Sequence, residues 1–203
     1  MISGKTESCS VPLNDTAFQQ YHDEEWGVPT TDDHAFFEKV CLEGFQSGLS
    51  WQIILKRRKA LRVAFDNFDP EPLARYSESD VIRLMNNEQI IRNRRKIMSV
   101  INNARQFDAL RDEFGSLSEF FWSFEPEAST RPDYLDRSWL NSHPFTPESH
   151  ALSKALKKRG WTFIGPTNMY ALMQALGIVN DHVEGCPRRA IIEILRNKKP
   201  TAS

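Results

Sequence analysis

Apolar side chains recur every three or four positions through most of this chain, which is the spacing of one face of an α-helix. The first such stretch begins after Asp32 or Asp33, either of which can cap a helix, and runs through residues 36–41 to about Gly48. We find no sustained alternation of apolar and polar positions of the kind that marks a β-strand. The pattern therefore predicts an all-α protein.

Polar caps, first-turn prolines and closing glycines bound most of the later helices that this spacing predicts. Three of these helices start near Ser50, at the capping-box pair Ser77 and Asp80, and ahead of apolar positions 97–104. A fourth starts at Thr146 with Pro147 and ends at Gly160, and a fifth starts at Pro166 and ends at Gly177. Residues 125–147 hold four prolines among mixed polar residues. We expect a single unit over residues 1–203, in which 125–147 form a long loop or a link between two helical lobes.

Composition narrows the classes of protein to consider. The chain has 203 residues, of which 40% are hydrophobic, so it can build one substantial core. Its formal net charge of -1 gives no general attraction to nucleic acid, and such a partner would need a local basic patch. No apolar run approaches the roughly 20 residues that span a bilayer. We expect a cytoplasmic protein that does not contact membranes and acts as a monomer.

Two pairs of cysteine and histidine stand near opposite ends of the chain. Twelve residues separate Cys9 from His22, and three separate His182 from Cys186, so the second pair can face one point. Together they form a Cys2His2 set, which zinc binds tetrahedrally. Spacing alone leaves open that these side chains pack or hydrogen-bond without a metal. With three cysteines in all, a disulfide framework is excluded.

One carboxylate lies on an apolar stripe of the first predicted helix. Glu43 follows Phe36 and Val40 at helical spacing, so it should project from the face that they bury. A buried carboxylate needs hydrogen-bond partners or a polar cavity. Tyr21 and Trp51 could wall such a cavity and sandwich a planar ligand such as a base. Two alternatives stay open: the helix end frays and leaves Glu43 in water, or the aromatic rings belong to the core.

A basic cluster stands where one predicted helix ends and another begins. It follows residues 86–91 and consists of Arg92, Arg94, Arg95 and Lys96. Backbone amides and arginine side chains at such a junction can approach a DNA phosphate. The glycines usual in the turn of a helix-hairpin-helix are absent, and the cluster could equally be a solvated face.

The chain resembles the 3-methyladenine DNA glycosylase I family in four segments, which are residues 21–29 (YHDEEWGVP), 41–51 (CLEGFQSGLSW), 152–160 (LSKALKKRG) and 177–186 (GIVNDHVEGC). These motifs are long, ordered and widely separated, and the match extends from about Cys9 to Cys186. The resemblance implies an all-α helix-hairpin-helix fold. It also implies an enzyme that flips 3-methyladenine out of alkylated double-stranded DNA and hydrolyses its N-glycosidic bond, leaving an abasic site and the free base.

The resemblance assigns a role to each candidate residue. It implies that Glu43 hydrogen-bonds the extruded base in a pocket lined by Tyr21 and Trp51, and that Gly48 and Leu49 fill the gap left in the duplex. Residues 90–96 would be the DNA-anchoring hairpin, with contacts from Arg92, Arg94, Arg95 and Lys96. A structural Zn²⁺ would be held by Cys9, His22, His182 and Cys186.

The sequence departs from the family pattern at two positions. Val11 stands where an aromatic residue commonly stacks on the base, and Phe45 stands where glutamine is frequent. We expect the ring of Phe45 to contact the base. The loss of an aromatic residue at position 11 keeps a second hypothesis open, namely a zinc-stabilised module that binds DNA damage with weak or altered base excision.

Overall fold

The computed structural model describes residue 9 and residues 15–198, and over these residues it contains helices and no strand. The all-α prediction is confirmed. In chain order the α-helices are α1 (Thr16–Gln20), α2 (Asp33–Gln46), α3 (Trp51–Ala64), α4 (Pro70–Ala74), α5 (Glu78–Met85), α6 (Arg94–Arg105), α7 (Phe107–Phe114), α8 (Leu117–Trp122), α9 (Arg137–Ser142), α10 (Pro147–Lys158), α11 (Pro166–Ala175) and α12 (Pro187–Asn197). A π-helical turn, Tyr21–Glu25, follows α1, and two short 3-10 turns are Asp66–Phe68 and Ala128–Thr130.

Helices with strong end signals begin where the sequence predicts. The Asp32 carboxylate accepts a hydrogen bond from the backbone N–H of His34 and caps α2. Capping boxes open α5 and α10. The segment 125–147, predicted as a loop or link, contains one 3-10 turn and α9, which the Asp136 carboxylate caps. Isolated helices as short as α9 gain little from local propensity and depend on tertiary packing, which is why the pattern did not predict it.

Helix α2 lies at the centre of the molecule. It packs against α3, α6, α8 and α11, and residues 36–45 within it are all buried. A helix covered on every side is expected to be apolar all round. However, α2 buries three charged side chains, Glu38, Lys39 and Glu43. The fold therefore places these charges in its interior, where each needs a partner.

A second, smaller apolar cluster joins the two ends of the described chain. Cys9, Val183 and Cys186 form it, and Trp26 and Leu140 pack against it. This cluster is separate from the main core, which extends from Phe36 to Val179. None of the helices within residues 15–198 combines the length and the apolar character needed to cross a membrane.

Candidate active site beside a metal-binding cluster

Four side chains that could hold a metal ion meet between early and late segments of the described chain. His22 comes from the π-helical turn, and His182 and Cys186 come from the tight turn that leads into α12. With Cys9 they are all buried, and their ligand atoms lie within 4.8 Å of one another. The four residues therefore lie together, as the sequence predicts.

The spacing of these atoms fits a tetrahedral ion. The distance from Sγ of Cys9 to Nδ1 of His182 is 3.7 Å, and Sγ of Cys186 lies 3.5 Å from the same nitrogen and 3.7 Å from Nε2 of His22. Bonds of about 2.3 Å to sulfur and about 2.0 Å to nitrogen, at tetrahedral angles, would place sulfur and nitrogen ligands about 3.5 Å apart. These three sulfur–nitrogen distances are thus close to those of a set that holds a tetrahedral cation.

Each histidine is oriented by a hydrogen bond from its outer nitrogen. Nδ1 of His22 lies 2.7 Å from a carboxylate oxygen of Asp23, and Nε2 of His182 lies 3.0 Å from the carbonyl oxygen of Trp26. An N–H at each of these positions leaves the inner nitrogen free to bind a metal. Burial lowers the pKa of His182 to about 4, so its ring is neutral as a ligand must be. Burial raises the pKa of the Cys9 thiol to about 12, and a bound cation would supply the charge that a thiolate needs there.

A cavity of about 300 Å³ lies directly beside this cluster. The metal-binding residues Cys9 and His22 form part of its wall. The side chains that complete the wall are those of Phe18, Tyr21, Trp26, Glu43, Gln46, Trp51, Arg137, Leu140, Asn141, Ala171, Gln174, Asp181 and Val183. Its volume is at the lower end of the range for small-molecule sites, about 300 to 1,000 Å³. It is therefore suited to a small, flat, mainly apolar ligand.

Of the four residues predicted to contact a base, Glu43, Tyr21 and Trp51 line this cavity. Glu43 is 3% exposed, and α2 continues past it to Gln46, so the carboxylate does not lie at a frayed end. The rings of Tyr21 and Trp51 have their centroids 5.3 Å apart at an angle of 46°. Burial raises the pKa of Glu43 to about 6, opposed by the positive charge of Lys39. The cavity thus offers the Glu43 carboxylate as an acceptor beside two aromatic rings, which contact each other and form adjoining walls. A base therefore cannot lie sandwiched between these two rings.

Phe45 does not take the place predicted for it. Its ring is buried in the main core and packs edge-on against Phe65 at 5.5 Å between centroids, away from the residues that line the cavity. Two residues along a helix turn the side chain by about 200°, so Phe45 faces away from Glu43 and Gln46 lines the cavity instead. The expectation for Val11 falls at a position outside the described residues.

Lys96 also differs from its predicted role. Its ammonium is buried and donates hydrogen bonds to the carbonyl oxygens of Phe45, at 2.8 Å, and Ser47, at 2.6 Å. Burial lowers its pKa. The reason is that Lys96 lies on the inward face of α6, where it meets the end of α2, and so it ties the basic hairpin to the loop after α2 instead of reaching a phosphate.

The other three basic residues of the hairpin are exposed. Arg94 forms an ion pair with Glu78 at 2.7 Å, Arg92 lies 3.6 Å from Glu88, and Arg95 lies over the ring of Phe163. Exposed ion pairs of this kind are weak and exchange readily with other anions. The hairpin therefore presents three arginines to solvent at the start of α6.

Gly48 and Leu49 lie in the short loop between α2 and α3. Gly48 has a φ of +77°, a conformation that favours glycine, and a Cβ atom added there would contact nothing within 4 Å. Leu49 is 37% exposed, so its side chain reaches solvent from this loop. Because Lys96 bonds to Ser47, this loop and the arginine hairpin occupy one side of the molecule.

Two polar residues at the site were missed by the sequence argument. Lys39 lies one helical turn before Glu43, and the i, i+4 spacing of opposite charges was a usable signal. Asp181 is buried in the cavity wall and accepts hydrogen bonds from the Tyr170 hydroxyl, at 2.5 Å, and the Gln174 amide, at 2.8 Å, and it pairs with Arg131. The partners of Asp181 come from other parts of the chain, and no local sequence pattern predicts them.

Comparisons with known proteins agree on one family. The sequence model for the family described as Methyladenine glycosylase matches residues 12–189. The DNA-3-methyladenine glycosylase 1 of Escherichia coli (strain K12) is 45% identical over 181 residues, which cover 89% of this chain and 95% of that protein. The 3-methyladenine DNA glycosylase I of Staphylococcus aureus, whose structure addresses recognition of 3-methyladenine, superposes with a TM-score of 0.82 at 30% identity over 98% of this chain and all of the other. A variant of a 3-methyladenine DNA glycosylase I in complex with 3-methyladenine has a TM-score of 0.77 at 31% identity, over 90% of this chain and 97% of the other.

Proposed function

This chain belongs to the methyladenine glycosylase family, and from that premise we propose that it removes 3-methyladenine from alkylated DNA by hydrolysis of the N-glycosidic bond. It is an enzyme of base-excision repair, a DNA-3-methyladenine glycosylase. The observation that carries this function is the buried carboxylate of Glu43, which lines a cavity of about 300 Å³ together with the rings of Tyr21 and Trp51. A base can enter this cavity only after it has left the double helix.

The reaction requires little from the protein beyond recognition of the base. Methylation at N3 gives the adenine a positive charge while it is attached to the sugar. When the bond between N9 and C1′ breaks, its electron pair stays on the base, which leaves as a neutral molecule. Water adds to C1′ of the sugar and loses a proton to solvent, and an abasic site remains. A good leaving group needs no strong nucleophile from the enzyme.

Glu43 serves in this proposal as a hydrogen-bond acceptor and an electrostatic partner of the base. A carboxylate accepts from an N–H of the base and attracts its positive charge, while the adjoining rings of Tyr21 and Trp51 give the base an aromatic wall to contact. Both effects select a flat, electron-poor base over an unmodified one. Gln46 and Gln174 supply further polar atoms at the wall.

We propose that double-stranded DNA binds on the side that carries the hairpin and the loop after α2. The exposed guanidinium groups of Arg92, Arg94 and Arg95 would contact phosphates, which hold the strand in register without reading its sequence. Leu49, exposed beside Gly48, would enter the space that the flipped nucleotide leaves. Lys96 has a different role, because it holds the loop after α2 and the hairpin together.

We propose that Zn²⁺ is the ion of the Cys9, His22, His182 and Cys186 cluster. Two thiolates and two imidazoles at tetrahedral spacing are a typical zinc set, and four protein ligands leave no open position for a reacting water. The ion would therefore have a structural role. It would hold the wall of the cavity to which Cys9 and His22 contribute.

Base release is the direct test of this function. The purified protein is incubated with methylated double-stranded DNA, and the free bases are separated by chromatography. We expect 3-methyladenine to appear, with an abasic site in the DNA that alkali cleaves. If the protein bound the methylated DNA but released no base, it would be a damage-binding module, the second hypothesis of the sequence analysis.

A further inference from the structure

A buried lysine touches all three residues that the proposed function assigns to the base. Nζ of Lys39 lies 2.7 Å from the Tyr21 hydroxyl oxygen and 3.6 Å from Oε1 of Glu43. The same nitrogen lies 3.9 Å from the centroid of the Trp51 ring. The Lys39 side chain is 8% exposed. An ammonium group so far out of water is costly unless its partners compensate it.

Lys39 reaches these residues from behind the cavity. It is not among the side chains that line the cavity, and it lines a second hollow on the other side of Tyr21. The amine therefore cannot take part in the reaction as a nucleophile without a rearrangement of this wall. Its contacts act on the base through Glu43, Tyr21 and Trp51.

Four of the other charged side chains of the second hollow are paired with one another, and the fifth, Glu24, accepts a hydrogen bond from the Gln20 amide. Arg58 donates to Glu25 at 2.6 Å, and Arg62 donates to Glu38 at 2.8 Å. Among the described residues, Lys39 is thus the cation that has Glu43 as its ion-pair partner. Opposite charges separated by one helical turn in a buried site interact strongly.

We propose, resting on the function above, that Lys39 is a positioning residue that keeps Glu43 ionised and leaves the Tyr21 hydroxyl hydrogen free to donate into the cavity. Because the Lys39 ammonium donates to the Tyr21 oxygen, the hydroxyl hydrogen must point elsewhere. The carboxylate of Glu43 keeps Oε2 for the base while Oε1 faces Lys39. One buried cation thereby sets the protonation state of Glu43 and the direction in which the Tyr21 hydroxyl donates.

The titration of the pair agrees with this geometry. Burial raises the pKa of Glu43 to about 6, and the charge of Lys39 opposes a larger rise. Burial lowers the pKa of Lys39 to about 8, and the charge of Glu43 opposes a larger fall. Both groups are therefore charged between about pH 6 and pH 8. Without Lys39, the pKa of Glu43 would rise further, and the carboxyl group would be partly protonated near neutral pH.

The test compares kcat/KM for base release across pH in three proteins, namely the wild type, Lys39→Met and Arg62→Met. Methionine keeps the length of the lysine stem without its charge, and Arg62→Met removes a cation that pairs with Glu38 instead of Glu43. Loss of a close opposite charge shifts a carboxyl pKa by about 1 to 3 units. For Lys39→Met we expect a deficit of about threefold or more at pH 6.5 that shrinks toward pH 9. Arg62→Met should follow the wild-type profile.

The inference would be overturned if a folded Lys39→Met protein kept the wild-type fall of kcat/KM at acid pH. It would also be overturned if its kcat/KM were lower than that of the wild type by the same factor at every pH. Should this variant not fold, nitrogen NMR of the lysine side chains in the wild type decides the question. We expect one lysine to titrate near pH 8 and to be charged at pH 6.5, and a neutral Lys39 at pH 6.5 would refute the proposal. This measurement needs no excision, so it separates a failure of this inference from a failure of the proposed function.

Discussion

At the scale of single residues, Glu43 is the group on which the proposed chemistry depends most. Glu43→Gln keeps the shape of the side chain but removes its charge and one acceptor. Hydrogen bonds to charged groups contribute about 1.5 to 3 kcal/mol, which corresponds to roughly a ten- to hundredfold loss of excision. We expect that loss in single-turnover release of 3-methyladenine, with the thermal unfolding temperature preserved.

Glu38→Gln is a matched control for this change. It alters the same residue type on the same helix, but Glu38 pairs with Arg62 and does not line the cavity. Its excision rate should equal that of the wild type. A Glu43→Gln protein that excises at the wild-type rate would reduce Glu43 to a structural residue.

The residues of the site differ in how far the sequence can predict them. Glu43 was predictable because its position relative to Phe36 and Val40 depends only on the pitch of one helix. The prediction for Phe45 rests on the family motif alone, whereas the helical pitch turns a side chain two positions after Glu43 away from the cavity and into the core. Lys39 was missed because its burial depends on Tyr21 and Trp51, which come from other parts of the chain.

At the scale of elements, the hairpin before α6 is the part proposed to hold DNA. The double change Arg94→Ala, Arg95→Ala removes two exposed charges and leaves the buried Lys96 in place. Each lost phosphate contact lowers the salt dependence of binding by a slope of about 0.9. We expect weaker binding to every DNA sequence and a flatter plot of affinity against salt, measured by fluorescence anisotropy.

A control for the hairpin removes the same amount of charge elsewhere. Arg75 and Arg111 are exposed and pair with Glu71 and Asp108 on their own helices. The double change Arg75→Ala, Arg111→Ala should leave most of the affinity and the salt slope intact. Equal effects of the two double variants would mean that the arginines of the hairpin form only a solvated face.

Elements were predictable where their ends carry a chemical signal. Asp32, Ser77 and Thr146 cap helices through side-chain atoms that the sequence displays. The π-helical turn and α9 lack comparable apolar spacing, and they form because neighbouring segments pack on them. The π-helical turn nevertheless supplies Tyr21 and His22, so part of the site lies on an element that local patterns do not predict.

At the scale of the whole molecule, the metal-binding cluster joins Cys9 to His182, which lies 173 residues later in the chain, and to Cys186 beyond it. We expect purified protein to carry one zinc ion per chain, measured by elemental analysis without chelator treatment. Cys186→Ser should lose that ion and unfold at a lower temperature, because the ion stabilises only the folded state. Protein with no stoichiometric zinc would contradict the assignment.

Cys41 provides the control for this experiment. It is also buried and free, but it lies in α2 and outside the cluster. Cys41→Ser places a hydroxyl in the apolar core, so it should lower stability while keeping the zinc. Cys186→Ser would thus lower both stability and metal content, whereas Cys41→Ser would lower stability alone.

We propose that the chain works as one unit. The main core contains residues from Phe36 to Val179, on both sides of segment 125–147. A link between independent lobes would interrupt such a core. The sequence could suggest either arrangement because prolines and polar residues mark surface segments whether or not a domain boundary lies there.

The common wall of the cavity and the metal cluster has a consequence for the order of folding. Cys9 and His22 line the cavity, and the cluster to which they belong is complete only when His182 and Cys186 join it from a distant part of the chain. Contacts between distant positions form slowly because a long loop must close first, whereas α2 and α3 are neighbours in the chain and can pack early. Glu43 and Trp51 would therefore be in place before the pocket around them closes, and we expect the ability to hold a base to be among the last properties that a refolding chain regains.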